Sequence, residues 1–318
     1  MKQKQIKMQG SIQKYVIWLV FVLVVIGFSI ASPNFRTIDN FITILRQISM
    51  LCIMAVGMSF VLLAGGIDLT VGSQMSLVGV CVALMATKAH MPVAVSIIVG
   101  LLITLVVGFV NGIIVTKTFM PPLIATLAMQ QIIQGIAYIL CNGTPIYDIP
   151  ESFEWIAKSS IGIIPVAVII MFVILLIGMF ILRKTYLGRY FYAVGSNEEA
   201  TRLSGLNPDR IKIIVFSISG FLAGVAGLIM MSRVNSGQPK VGVGYEMDVL
   251  TACVVGGVSV SGGEGKISDV LVGSLIMGVL SNGLLIIGLN EYYQLVIKGL
   301  VLIAAVGIDC LQKHYKKN

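Results

Sequence analysis

Uninterrupted apolar runs of about 20 residues, repeated along the chain, constrain this sequence more than any other feature. Residues 93–115 and 162–182 contain no charged side chain at all. A run of that length crosses the hydrocarbon core of a bilayer as an α-helix. Charged residues make up 11% of the 318 positions, against about 25% in ordinary soluble domains. A water-soluble fold of this size has too much surface to hide so much apolar side chain. The runs do not alternate apolar with polar residues, so a membrane β-barrel is excluded. The 34 glycines are consistent with close helix approach inside a membrane. The chain reads as a single all-α polytopic membrane domain.

Ten spans are expected, at about 15–31, 42–64, 71–87, 93–115, 122–141, 162–182, 212–232, 249–261, 267–288 and 293–310. The third and eighth are short and glycine-rich. Lysines ahead of the first run, with Ser29-Ile30-Ala31 behind it, also fit a cleaved signal, although that run is long for one. With the N-terminus inside and the spans alternating, only Arg36, Lys88, Lys158, Arg233 and Lys240 fall outside. Arg46 and Lys298 stay within spans, and the other fifteen of the 22 lysines and arginines fall inside. The positive-inside bias therefore puts both tails, 1–14 and 311–318, and the long loop 183–212 in the cytoplasm. The same bias accounts for the net charge of +8, with no reason to invoke nucleic acid. On the outer side, Asp148, Glu151, Glu154 and Trp155 form an acidic, partly apolar segment. It suits either a solvated loop or a surface that meets an external partner.

The loop 183–212 is more organised than a linker. Ser196 and Glu199 have capping-box spacing, so a helix of about two turns is expected from Asn197 to Ser204. Gly205 follows where a left-handed cap belongs. Asn207 and Pro208 then start the next helix. So short a helix is not stable alone in water. It docks on its own bundle or on a soluble partner. Leu203 and Leu206 supply its apolar side, and Arg202 and Arg210 flank it.

Asp68 sits in Gly65-Gly66-Ile67-Asp68-Leu69-Thr70-Val71-Gly72-Ser73. It can cap the third span or line a path, and the two roles are compatible. Gly65 and Gly66 point to a break between spans, which is tolerated only where it is buried or lines a cavity. A second break is expected around Gly256, Gly257, Gly262 and Gly263. That segment is not a phosphate loop, because Lys266 is followed by Ile267 rather than Ser or Thr. Small residues at Gly220, Ala223, Gly224 and Gly227, and at Ser274 and Gly278, have helix-packing spacing. Asn111-Gly112 and Asn282-Gly283 occupy similar settings in spans that run in opposite directions, which hints at an inverted repeat of spans two to five and seven to ten. Asn111, Gln130, Gln131, Gln134 and Asn282 are the in-membrane polar groups that either face an interior path or join helices by hydrogen bonds. The five cysteines form no C-x-x-C pair and read as small buried hydrophobes. The two histidines have no metal-ligand spacing.

Three blocks together give the sequence a family resemblance. They are residues 65–73, residues 193–227 with Gly195, Asn197, Ala200, Gly205, Gly220 and Gly227, and residues 244–299 with Gly244-Tyr245-Glu246-Met247-Asp248 and Lys298-Gly299. The chain after Phe35 resembles the permease subunits of bacterial ATP-binding-cassette importers for monosaccharides, the ribose type. The resemblance implies a second permease subunit, a cytoplasmic ATPase that holds the ATP and Mg, and an extracytoplasmic sugar-binding protein. It implies that this chain binds no cofactor and catalyses nothing. The ATPase-docking helix would carry Asn197, Glu198, Glu199, Ala200, Arg202, Leu203 and Gly205. Path candidates are Asp68, Asn111, Gln130, Gln134 and Asn282. The chain departs from the family at Ser268-Asp269, where small residues are usual, and Asp269 can alter a cap or contact there. Permeases for branched-chain amino acids or nucleosides share the architecture. A stand-alone secondary transporter would need several buried carboxylates, and a membrane enzyme would need a catalytic constellation. The sequence supports neither well.

Overall fold

The computed structural model describes residues 2–317, with side chains for 17–156 and 159–311. The side chains of the tail 1–14 and of nearly all of 311–318 lie outside the described residues. The helices are α1 (Lys2–Ala31), α2 (Ile38–Leu63), α3 (Val71–Thr87), α4 (Val93–Lys117), α5 (Pro122–Leu140), the single turn α6 (Trp155–Lys158), α7 (Val166–Lys184), α8 (Tyr186–Ser196), α9 (Glu198–Leu203), α10 (Pro208–Val234), α11 (Tyr245–Val255), α12 (Ile267–Ile286) and α13 (Glu291–Lys317). Among the described residues, seven of them are long and apolar enough to cross a membrane: α2, α4, α5, α7, α10, α12 and α13. The part of α1 with described side chains, Ile17–Ala31, and α3 are also apolar.

Helix ends follow local chemistry. The Thr37 side chain accepts from Asn40 N at the start of α2. At the start of α10, Asn207 accepts from Arg210 N, Pro208 takes the first turn and Asp209 complements the dipole. Two expected spans differ from what forms. The sixth starts late, because residues 160–165 fold into a small hairpin pairing Ser160 with Pro165 and Ile161 with Ile164. The eighth is only α11, eleven residues long, and residues 256–266 turn instead of continuing it. The acidic segment 148–155 is partly folded. Phe153 is buried, and its carbonyl accepts from the Ser232 hydroxyl at the end of α10.

Two helices organise the bundle. α10 packs along α4, α2 and α3, while α2 also packs on α12, α7 and α11. Farther out, α3 packs on α5 and α11 packs on α13. The small residues enable the crossings. A Cβ at Gly108 would run into the Phe216 carbonyl, and one at Gly220 into the Thr104 carbonyl. Gly278 lies against Ile48 in the same way. The outward faces of α5 and α13 expose Leu123, Ile124, Ile132, Leu300 and Ile303. These faces suit lipid or another apolar partner.

The α4–α10 crossing yields a direct test. Gly108→Ala should lower thermal stability in detergent by about 1–3 kcal/mol, because the backbones must separate. Gly135→Ala, whose new methyl would meet nothing within 4 Å, should leave it unchanged or slightly raised. Equal melting of the two variants would refute backbone contact as the basis of this crossing.

Candidate functional site

The first break, residues 64–70, is an ordered piece of backbone. Gly65 N and Gly66 N return to the carbonyls of Leu62 and Val61, which closes α2. The Ile67 carbonyl accepts from the Thr126 hydroxyl of α5. Asp68 is fully buried. One of its oxygens, Oδ1, accepts from Thr70 N at 3.0 Å and from the Thr70 hydroxyl at 2.5 Å. The other, Oδ2, accepts from the Ser219 hydroxyl of α10 at 2.7 Å. Thr70 Oγ1 in turn accepts from Gln74 Nε2 at 2.7 Å and Asn111 Nδ2 at 2.9 Å. All five side chains are buried. The network joins the break to α3, α4 and α10. Asp68 thus holds the start of α3 by a short-range turn and also crosses to another helix.

The second break, residues 256–266, meets the first. Gly263 N donates to the Leu63 carbonyl at 3.1 Å. Gly262 lies against the Cα atoms of Gly65 and Gly195, and a side chain on Gly195 would strike Leu63 O. Gly65, Gly257, Gly262 and Gly263 adopt the left-handed backbone expected of breaks, whereas Gly256 at φ −68° closes α11 in a helical conformation. The Tyr192 hydroxyl of α8 donates to the Gly265 carbonyl at 2.7 Å. Burial raises the Tyr192 phenol above its ordinary range. One helix, α8, therefore touches both breaks.

From α8 the chain passes directly into α9. The cap of α9 is Asn197, whose side chain accepts from Ala200 N at 2.9 Å. Ser196 is the last residue of α8, so the expected capping box with Glu199 does not form, and the helix runs Glu198–Leu203. Asn197 takes the cap because α8 extends to Ser196 before the backbone turns extended at 197. Gly205, at φ +83°, ends the helix as expected. Glu198 is tied inward to Lys212 at 2.6 Å, and Arg202 reaches Glu198 and Asp209. Asp209 also meets Lys117 at 3.3 Å. Thr201 is buried, while Leu203 is 82% exposed. Glu199 and Ala200 are exposed as well. Leu203 is thus an outward knob and does not give α9 an inward apolar side.

The remaining expected residues are dispersed. Gln130 Nε2 donates to Glu246 Oε1 at 3.0 Å, and Gln134 Nε2 to the Pro239 carbonyl at 2.5 Å. These bonds tie α5 to the start of α11 and to the chain leading into it. Gln131 is exposed. Asn282 Nδ2 donates to Asn40 Oδ1 at 2.9 Å, joining α12 to α2. Asn111 and Asn282 therefore have different partners.

Sequence reasoning missed two largely buried carboxyl groups. Glu246 is only 6% exposed, and its Oε2 has no partner among the described residues. Asp248 of α11 pairs with Lys298 of α13 at 2.6 Å. The signal was present, because a lysine left inside a span demands an acid nearby.

A family profile described as branched-chain amino acid transport system / permease component matches residues 40–306. The chain belongs to this family. Among its relatives, the ribose import permease protein RbsC of Escherichia coli (strain K12) is 42% identical, covering 93% of both chains. The protein of the same name from Bacillus subtilis (strain 168) is 40% identical, covering 97% of this chain and 96% of its own. The L-arabinose transport system permease protein AraH of Escherichia coli (strain K12) is 38% identical, covering 96% and 92%. No solved structure matches the chain.

The Asp68 network sets a stability expectation. Asp68→Ala strands two hydroxyls and an amide and should cost on the order of 3 kcal/mol. Ser219→Ala alone should cost less. The double variant should be less damaging than the sum of the two, because they share a bond. Strict additivity in thermal melts would exclude the Asp68–Ser219 link.

Proposed function

We propose that this chain is the membrane-spanning permease subunit of an ATP-binding-cassette importer that carries a monosaccharide across the bacterial cytoplasmic membrane. The observation that carries this reading is the near-full-length match to permeases named for ribose and L-arabinose. The chain supplies the passage. ATP and Mg belong to a separate cytoplasmic ATPase, and a sugar-binding protein serves the outer face. A second permease subunit, this chain or a close paralogue, completes the passage, with lipid around it.

In this reading ten segments enter the membrane, α1–α5, α7 and α10–α13, with both termini in the cytoplasm. The positive-inside bias supports the orientation. An inverted repeat pairs α2 with α10, α3 with α11, α4 with α12 and α5 with α13. The packing supports it, because exchanging these partners converts α10 on α4 into α2 on α12, and α3 on α5 into α11 on α13. The ATPase docks on α9, where Leu203, Glu199 and Ala200 face outward and Asn197, Glu198, Arg202 and Gly205 hold the helix in shape. Motion of α9 enters the membrane through α8 at the junction of the two breaks. Asp68 and Asn111 act there as hinges of the passage wall, Gln130 and Gln134 hold α5 against the head of α11, and Asn282 holds α12 to α2.

Deleting the gene should abolish high-affinity uptake of D-ribose or L-arabinose, and restoring it should recover uptake. Leu203→Glu should reduce uptake at least tenfold with normal membrane levels and leave ATP hydrolysis unresponsive to sugar, while Leu203→Met keeps most of it. Normal uptake by Leu203→Glu would remove the docking role of α9.

A further inference from the structure

A cavity of about 130 Å³ lies between α2, α11, α12 and α13. Its polar lining comprises Gln47, Tyr245, Asp248, Ser281, Gln294 and Lys298. Each belongs to the half of its helix nearest one face of the bundle. Gln47 lies in the first half of α2, Tyr245 and Asp248 start α11, Ser281 lies near the end of α12, and Gln294 and Lys298 lie near the start of α13. That face is opposite α9, and in the proposed orientation it is the outer one.

Most of these groups have hydrogen-bonding capacity to spare. The side chains of Gln47, Tyr245 and Ser281 make no hydrogen bond among the described residues, and none of the three is fully exposed. The Lys298 ammonium spends one contact on Asp248 Oδ2 and has three donors. Asp248 retains Oδ1. Gln294 gives its amide N–H to the Leu289 carbonyl at 3.0 Å and keeps its oxygen. Polar side chains that line an opening in a membrane bundle mark a path or site for a polar solute, and this lining has bonding capacity left for one. Donors and acceptors are mixed, and one aromatic ring stands among them.

The charges select the ligand class. Asp248 and Lys298 neutralise each other at 2.6 Å, so the cavity presents no net charge to an anion such as phosphate. A zwitterionic amino acid would have to split the pair. A neutral polyol can bond to its edges and leave it closed. The geometry points to a transient site for a free monosaccharide in this cavity, walled by Gln47, Asp248, Ser281, Gln294 and Lys298 within a single subunit. This inference rests on the sugar-importer reading and gives it a place where the cargo pauses.

The test uses the full-length chain in phosphatidylcholine nanodiscs and saturation-transfer NMR, with D-ribose, L-arabinose, L-leucine and sorbitol phosphate as probes. Transfer to ribose or arabinose is expected and should fall at least fivefold in Gln47→Leu/Ser281→Val. In cells, Gln47→Cys in a Cys310→Ser background should react with an externally added, membrane-impermeant methanethiosulfonate. Millimolar ribose or arabinose should slow that reaction at least threefold. Preferential transfer to L-leucine or sorbitol phosphate would overturn the polyol assignment. Displacement of ribose by phosphatidylglycerol in the nanodisc, with no sugar protection in cells, would assign the cavity to a lipid headgroup and overturn it too. Unprotected labelling in cells that import ribose normally would overturn this site and leave the importer reading standing. Protection by a sugar that the cells do not import would uphold the site and sink that reading.

Discussion

Inside hydrocarbon, backbone polar groups that leave a helix must find partners within the protein. Two of the segments where this chain leaves its helices, 64–70 and 256–266, pack against each other within the bundle. The first is satisfied by the end of α2, by Thr126 and by Asp68. The second is satisfied partly by the end of α2, through Gly263 N and the Leu63 carbonyl. The first break draws partners from α5 and α10, and the second from α8 and the end of α2. The junction is therefore one cooperative unit with parts from distant stretches of sequence.

The electrostatics at that unit serve the same end. A carboxylate with no exposure to solvent is affordable only when hydrogen bonds surround it. Asp68 accepts three, two from its own turn and one from across the bundle. Removing any partner exposes the others to an unmet demand, which makes this a brittle junction. The ion pairs around α9 are different. They lie in or near water, where such contacts add little stability, and their value is in fixing the direction in which α9 points.

Much of this was legible in the sequence. Hydropathy located the long apolar helices, because that signal depends only on local chemistry, whereas α8, within the loop 183–212, went unread. Gly205 and Asn207–Pro208 cap where their residue types demand. The shift of the α9 cap from Ser196 to Asn197 was not legible, since both residues can cap and the choice depends on how far α8 extends. The pairing of Lys298 with Asp248, 50 residues apart, needed the packing of α11 against α13. Gln134 offers another case, since its partner is a backbone carbonyl, and carbonyls have no signature in a sequence. The outward direction of Leu203 was equally hidden, because one apolar residue on a six-residue helix has no periodicity to read.

That short helix has a consequence for association. Its cap, its glycine stop and its ties to Lys212 and Asp209 are all made within the permease itself. The conformational entropy of shaping α9 is therefore settled when the protein folds, and none of it is due again when another surface meets Leu203. Preformed features bind with less loss than features that must order on contact. In the proposed docking role, α9 is a firm handhold already in shape, and the grip on it can stay weak.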